Sequence, residues 1–177
     1  MSQRESGYER KERDAYETPP WVTQCLLPHI PPRISSVWEP AAGTGQMAGV
    51  LGAKFTVLAT DIDTGRDFLA ETRTDYPAII SNPPYSIAAK FIGHALRLTR
   101  PSSGYVAMLL RCDYHHAKTR PHLFADCTAF ARMVVLTKRI RWFEDSKGGP
   151  SFNHAWFVWD WTHTGAPTLA YEPRSAP

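Results

Sequence analysis

No run of about twenty apolar residues occurs in this chain, so no segment is a candidate membrane-spanning helix. Met1-Ser2-Gln3-Arg4-Glu5 does not begin a secretory signal. Cysteine is scarce: Cys25, Cys112 and Cys127 stand at irregular spacing, which argues against a disulfide framework and for reduced thiols in a cytoplasmic setting. Cys112, His115, His116, His122 and Cys127 also lack the compact Cys/His pairing of a structural zinc site, so no metal is expected. A large charge of either sign is missing too. The net charge of +3 permits contact with nucleic acid without demonstrating it. There are no internal repeats.

What is present suits a globular domain: 177 residues with 43% hydrophobic content, enough for one real core. Residues 1–15 alternate in sign (Arg4, Glu5, Glu9, Arg10, Lys11, Glu12, Arg13) and read as a mobile arm that could touch DNA. The stretch 16–163 reads as the folded domain and the Pro-rich stretch 164–177 as a loose tail. Thr18 is a good helix cap and Pro19 suits the first helical position, ahead of Trp21, Val22, Leu26 and Leu27 at helical spacing. Ile87, Phe91, Ile92, Ala95 and Leu96 repeat that spacing and predict a packing face. Tyr105 to Leu110 reads as a strand, Phe124 to Arg132 as a helix and Met133 to Leu136 as a further strand. Trp156, Phe157 and Trp159 read as core.

Chemistry concentrates at three strand ends. Ser36-Val37-Trp38 leads into Glu39-Pro40-Ala41-Ala42-Gly43-Thr44-Gly45, and Gln46-Met47-Ala48 then begins a helix. A strand, a glycine turn and a helix start make a nucleotide or cofactor cradle, because glycine lets the backbone approach a ligand closely. The turn lacks both the Gly-Lys-Ser/Thr ending of a phosphate loop and the third glycine of a dinucleotide fingerprint. Phe55 to Asp61 is a second strand ending in an acid, placed to accept ribose hydroxyls. Ala78-Ile79-Ile80 then runs into Asn82-Pro83-Pro84-Tyr85. There an amide and a ring stand at a strand's carboxyl end, where open α/β sheets bind ligands. The prolines donate no backbone hydrogen bonds, which leaves local carbonyls to accept from an exocyclic amino group, while Tyr85 offers a face for a planar base. A plain strand-ending turn uses the same residue types, so the order of the motifs decides the reading.

With these motifs in this order, the chain resembles the class I S-adenosylmethionine-dependent methyltransferases, specifically the DNA adenine-N6 group. The resemblance covers most of the chain. It implies a Rossmann-like α/β fold: a mostly parallel sheet, helices on both faces and an antiparallel C-terminal strand, here Ala155 to Trp159. It also implies that Asp14 to Pro19, with Tyr16, Thr18 and Pro19, holds the methionine end of the cofactor. Glu39, Pro40, Ala41, Gly43 and Gly45 resemble the cofactor loop, Asp61 the ribose-binding acid, and Asp67-Phe68 the pair beside the adenine. Asn82, Pro83, Pro84 and Tyr85 resemble the catalytic motif, with Asn82 also facing the cofactor. One departure stands out. Only Ile62 to Arg66 separates Asp61 from Asp67, where the family places a helix and a strand, so this sheet edge is cut short and Asp63 competes with Asp61 for the ribose.

Two loops are candidates for the nucleic acid. Arg111 to Arg120 mixes Tyr114, His115 and His116 with Lys118 and Arg120, rings for bases and cations for phosphates; a solvated surface loop is the bland reading. Arg139-Ile140-Arg141 reads as a strand with one charged face, followed by Trp142, Phe143, Lys147 and a Gly-Gly-Pro turn. The resemblance implies that Trp142 or Phe143 forms a second wall for the target base. The implied reaction is direct in-line transfer to a flipped adenine, without covalent intermediate. DNA leads as substrate, RNA adenine follows and a protein glutamine trails; a silent cofactor- and nucleic-acid-binding module is the non-enzymatic alternative. The chain length suggests a compact enzyme of low or short sequence specificity, of the kind found in phages and prophages, with monomer or homodimer left open.

Overall fold

The computed structural model describes residues 16–142 and 152–173. In them the chain runs α1 (Pro20–Leu26), β1 (Ser36–Glu39), α2 (Gln46–Gly52), β2 (Thr56–Ala59), β3 (Ala78–Ser81), α3 (Ala88–Thr99), β4 (Tyr105–Arg111), β5 (Phe130–Leu136), β6 (His154–Asp160) and β7 (Thr168–Glu172). The strands form one sheet in the order β2-β1-β3-β4-β6-β5-β7. Every pairing is parallel except the two made by β6. The carboxyl ends of β1 to β5 and the first residue of β6 therefore share one edge. No helix among the described residues is long and apolar enough to cross a membrane.

The central strand shows why both faces need helices. Tyr105, Ala107 and Leu109 pack with α1 and α2 through Val22, Leu26, Met47 and Leu51. Val106, Met108 and Leu110 pack with α3 through Phe91, Ile92, Ala95 and Leu96. A strand covered on both faces reads as a continuous apolar run, and this one does. The buried indoles also satisfy their N–H groups: Trp38 donates to Thr60 Oγ1 at 2.8 Å, Trp156 to the Val22 carbonyl at 2.9 Å, and Trp159 to the Leu123 carbonyl at 2.6 Å. The mostly parallel sheet with helices on both faces and one antiparallel C-terminal strand is the expected Rossmann-like fold. At the short edge, β2 is the last strand. The chain from Asp61 onward makes only 3₁₀ turns, at Ile62–Thr64 and Phe68–Ala70, before β3.

Four expectations are corrected. Phe124 to Arg132 is not a helix: a 3₁₀ turn at Pro121–Leu123 precedes irregular chain, and β5 already begins at Phe130. Pairing with β6, through an irregularity between Phe130 and Arg132, overrides the local helical spacing. Thr18 does not cap α1; it is buried, Pro19 is the N-cap without a side-chain bond, and Pro20 takes the first turn. Ile140 is buried but lies outside any strand. Lastly, the expected loose tail contains β7, which runs parallel to β5 from Arg132↔Thr168 to Leu136↔Glu172. The arm over 1–15, Phe143, Lys147 and residues 174–177 lie outside the described residues.

Candidate active site

The glycine turn grows from the end of β1. Glu39 is 2% exposed, and its Oε2 has no hydrogen-bond partner. Burial chiefly, then the nearby Glu17 charge, pushes its carboxyl up to about 8, against a hydrogen bond with the Ala48 backbone. Pro40 is buried, and Ala41 is half-buried. Gly43 and Gly45 both take positive φ, 54° and 90°, and Gly45 is the N-cap of α2. The turn is braced from two sides. The Glu17 Oε1 accepts the Thr44 N–H at 2.9 Å, and Asp61 Oδ2 accepts the Gly43 N–H at 2.9 Å. A Cβ on Gly43 would stand 2.7 Å from Glu17 Oε1, so only glycine lets that carboxylate lie against the turn.

Asp61 also accepts the Asp63 N–H at 3.0 Å and so caps the 3₁₀ turn that follows β2. Asp63 is exposed beside it, and Ile62 between them is 65% exposed, unusual for an isoleucine. Asp67 caps its own turn by accepting the Leu69 N–H at 2.9 Å. Phe68 is enclosed by Trp38, Phe91 and His94, with ring centroids 5.2, 4.5 and 4.8 Å away, which makes it a core ring.

Asn82 follows β3 directly. Its Nδ2 donates to the Tyr16 carbonyl at 3.1 Å. A carbonyl can only accept, so the edge facing Tyr16 must be the NH₂, and Oδ1 is left on the other side as an acceptor. A line of rings leads from Tyr16 back to Tyr85. Tyr16 meets Trp142 at 5.4 Å, Trp142 meets His154 edge-on at 5.3 Å and 84°, and His154 stacks toward Tyr85 at 6.3 Å and 21°. The segment Tyr16 to Pro19 thus ties the glycine turn, through Glu17, to the Asn82 corner, through Tyr16. Pro83 is buried, and Pro84 accepts from the Ile87 N–H at 3.1 Å, starting the turn that carries Tyr85 into α3.

His154 and Glu17 went unmarked in the sequence. His154 is 2% exposed, and the backbone of Phe152 is the polar group nearest to satisfying its ring. Burial chiefly pushes its imidazole down to about 4, against a hydrogen bond with the Phe152 backbone, so the ring is neutral at ordinary pH. Only the antiparallel pairing Arg111↔His154 brings it to the site edge, and no local motif announces that. Glu17 was signalled only by its place between Tyr16 and Thr18.

The β4 loop begins at the same edge. Arg120 lies over the Tyr114 ring at 3.9 Å, and His115 leans on Phe157 at 5.6 Å, so these rings are partly spent on packing. His116 and Lys118 are exposed. Arg111 is held by Asp113 through two bonds and lies over Phe152 at 4.0 Å. Arg139 donates to Asn153 Oδ1 at 2.9 Å, and Arg141 is exposed.

No protein-family model matches the sequence, and no curated protein is similar to it at a significant level. Solved structures do share the fold. One is a Listeria monocytogenes protein described as a class I S-adenosylmethionine-dependent methyltransferase, with TM-score 0.59 and 15% identity over 85% of this chain and 62% of that one. A type I restriction-modification methyltransferase subunit from Streptococcus thermophilus gives 0.60 and 13% over 84% of this chain and 45% of that one. The 23S rRNA methyltransferase ErmE gives 0.57 and 15% over 82% of this chain and 68% of that one. The chain spans 62% and 45% of the first two. At such identity the likeness is one of architecture: the chain has the Rossmann-like fold that these methyltransferases share.

Proposed function

We propose that this protein transfers a methyl group from S-adenosylmethionine to the exocyclic N6 amino group of adenine in DNA. The observation that carries the reading is the Asn82 amide. Its NH₂ edge is committed to the Tyr16 carbonyl, which leaves Oδ1 as the acceptor, and a line of rings, Trp142, His154 and Tyr85, leads on from Tyr16.

The residues suit the cofactor. Glu39 presents a buried oxygen without partner, and the turn bends through positive φ at Gly43 and Gly45, which glycine favours. Glu39, Tyr16, Thr18 and Pro19 would face the methionine end, the Gly43 to Gly45 backbone the middle, and Asp61 or Asp63 the ribose. Ile62 offers an exposed apolar face for the adenine ring, which suits it better than the enclosed Phe68. When bound, the cofactor supplies an electrophilic methyl on a sulfonium and departs as a thioether.

An aromatic amine is a weak nucleophile because its lone pair is delocalised into the ring. The Asn82 Oδ1 and the Pro83 carbonyl accept its two hydrogens, which localises the lone pair and orients it for in-line attack. Tyr85 stacks on the base, which must be flipped from the duplex to reach this depth, and Trp142 closes the opposite side. His154, kept neutral, adds no positive charge against the sulfonium. The exposed Lys118, Arg139 and Arg141, with the half-buried Arg120, would contact phosphates.

Labelled-methyl transfer to a random-sequence DNA duplex, run beside an RNA of the same sequence and a glutamine peptide, tests this. Digestion to nucleosides is expected to place the label in N6-methyldeoxyadenosine. Label in RNA adenine moves the substrate to RNA, and label in neither nucleic acid overturns the reading.

A further inference from the structure

Two carboxyl groups meet at the glycine turn, and they are held differently. Glu17 is half-buried and engaged with the Thr44 N–H; Glu39 is buried behind it with one oxygen unpartnered. An ionised carboxylate that is buried, without a cation, and beside a second carboxylate is costly, because both desolvation and like charge oppose it. Asp61, at the end of β2, adds a third negative group. The α2 start contributes a backbone hydrogen bond from Ala48, and among the described residues no Lys or Arg side chain contributes to holding Glu39 charged.

We propose that the Glu17–Glu39 pair carries one proton and exchanges it for the α-ammonium group of the cofactor's amino-acid end. The inference rests on the functional reading above. The O–H bond of the Glu39 carboxyl breaks, its proton goes to solvent, and the carboxylate pairs with the ammonium group, which keeps all three of its hydrogens. Charge at the turn is thereby conserved. Glu17 does two things at once: it braces the turn through Thr44 and makes Glu39 reluctant to ionise until a cation arrives. The carboxyl value of about 8 agrees, since it leaves Glu39 protonated at neutral pH.

The test is calorimetric titration of the whole protein at pH 7 in buffers of different ionisation enthalpy. S-adenosylhomocysteine, which has the ammonium group but no methyl to transfer, is compared with methylthioadenosine, which lacks the amino-acid end. The expected result is release of about one proton per S-adenosylhomocysteine and none with methylthioadenosine. Affinity for S-adenosylhomocysteine should then rise roughly tenfold per pH unit between about pH 5.5 and 7.5. Glu17→Gln should reduce the release at pH 7, by letting Glu39 ionise earlier, and Glu39→Gln should abolish it. S-adenosylhomocysteine binding without proton release overturns the inference and leaves the functional reading standing. Equal release with methylthioadenosine also overturns it, by placing the proton elsewhere. If neither ligand binds, the functional reading falls and the inference with it.

Discussion

At the residue scale, Glu39 and Gly43 carry opposite kinds of strain. The Glu39 carboxyl is raised from 4.5 to about 8 by burial and by Glu17. The folded state therefore holds a proton that the unfolded chain gives up above pH 4.5, and Glu39's contribution to stability falls as pH rises from about 4.5 to 8. Glu39→Gln is expected to leave the melting temperature nearly unchanged at pH 4.5 and to raise it at pH 8 by several degrees. A parallel pH dependence in the variant and the wild type would remove this account of the site. Gly43, with φ of 54° and Glu17 at 2.7 Å from its missing Cβ, is strained by any side chain. Gly43→Ala should cost about 1–3 kcal/mol in urea denaturation and weaken cofactor binding, because Glu17 must leave Thr44. His154 has the reverse sign from Glu39. Its lowered value means stability is lost as pH falls from 6.5 to about 4.

At the element scale, β7 is the part of the fold with the most to test. It covers the edge of β5 over five registers, and it exposes Leu169 and Tyr171. Truncation after Gly165 strips that cover and is expected to lower the melting temperature by about 5 °C or more. An unchanged melting curve would mean that β7 adds little. The strands buried on both faces, β3 and β4, were legible in the sequence, because continuous apolar runs have few other fates. The place of Asn82 was legible for the same reason, since it follows Ala78-Ile79-Ile80 closely, and the glycine turn was legible from its two glycines. Where a strand is paired only through distant partners, local spacing misled. Phe124 to Arg132 has helical spacing, yet β6 recruits its end as a strand, and β7 hides among prolines in what reads as a tail. His154 escaped notice because its place beside Tyr85 exists only through the pairing of β6 with β4, a contact 43 residues apart at Arg111↔His154.

At the scale of the whole molecule, a net charge of +3 gives no strong general attraction for nucleic acid. Binding should instead depend on the few cations at the site edge. Lys118→Ala is expected to weaken DNA binding evenly across sequences and to reduce the dependence of log K on log salt by about one. A change confined to particular sequences would instead make Lys118 a base reader. The proposed reaction turns on one acceptor at the sheet edge, Asn82 Oδ1, which activates an amine for methyl transfer. Single-turnover transfer to adenine in duplex DNA by Asn82→Ala, with S-adenosylhomocysteine affinity measured on the same preparation, tests it most directly. Transfer is expected to fall by at least about 100-fold while cofactor affinity stays within a few-fold of the parent. Parental transfer rates in that variant would contradict it.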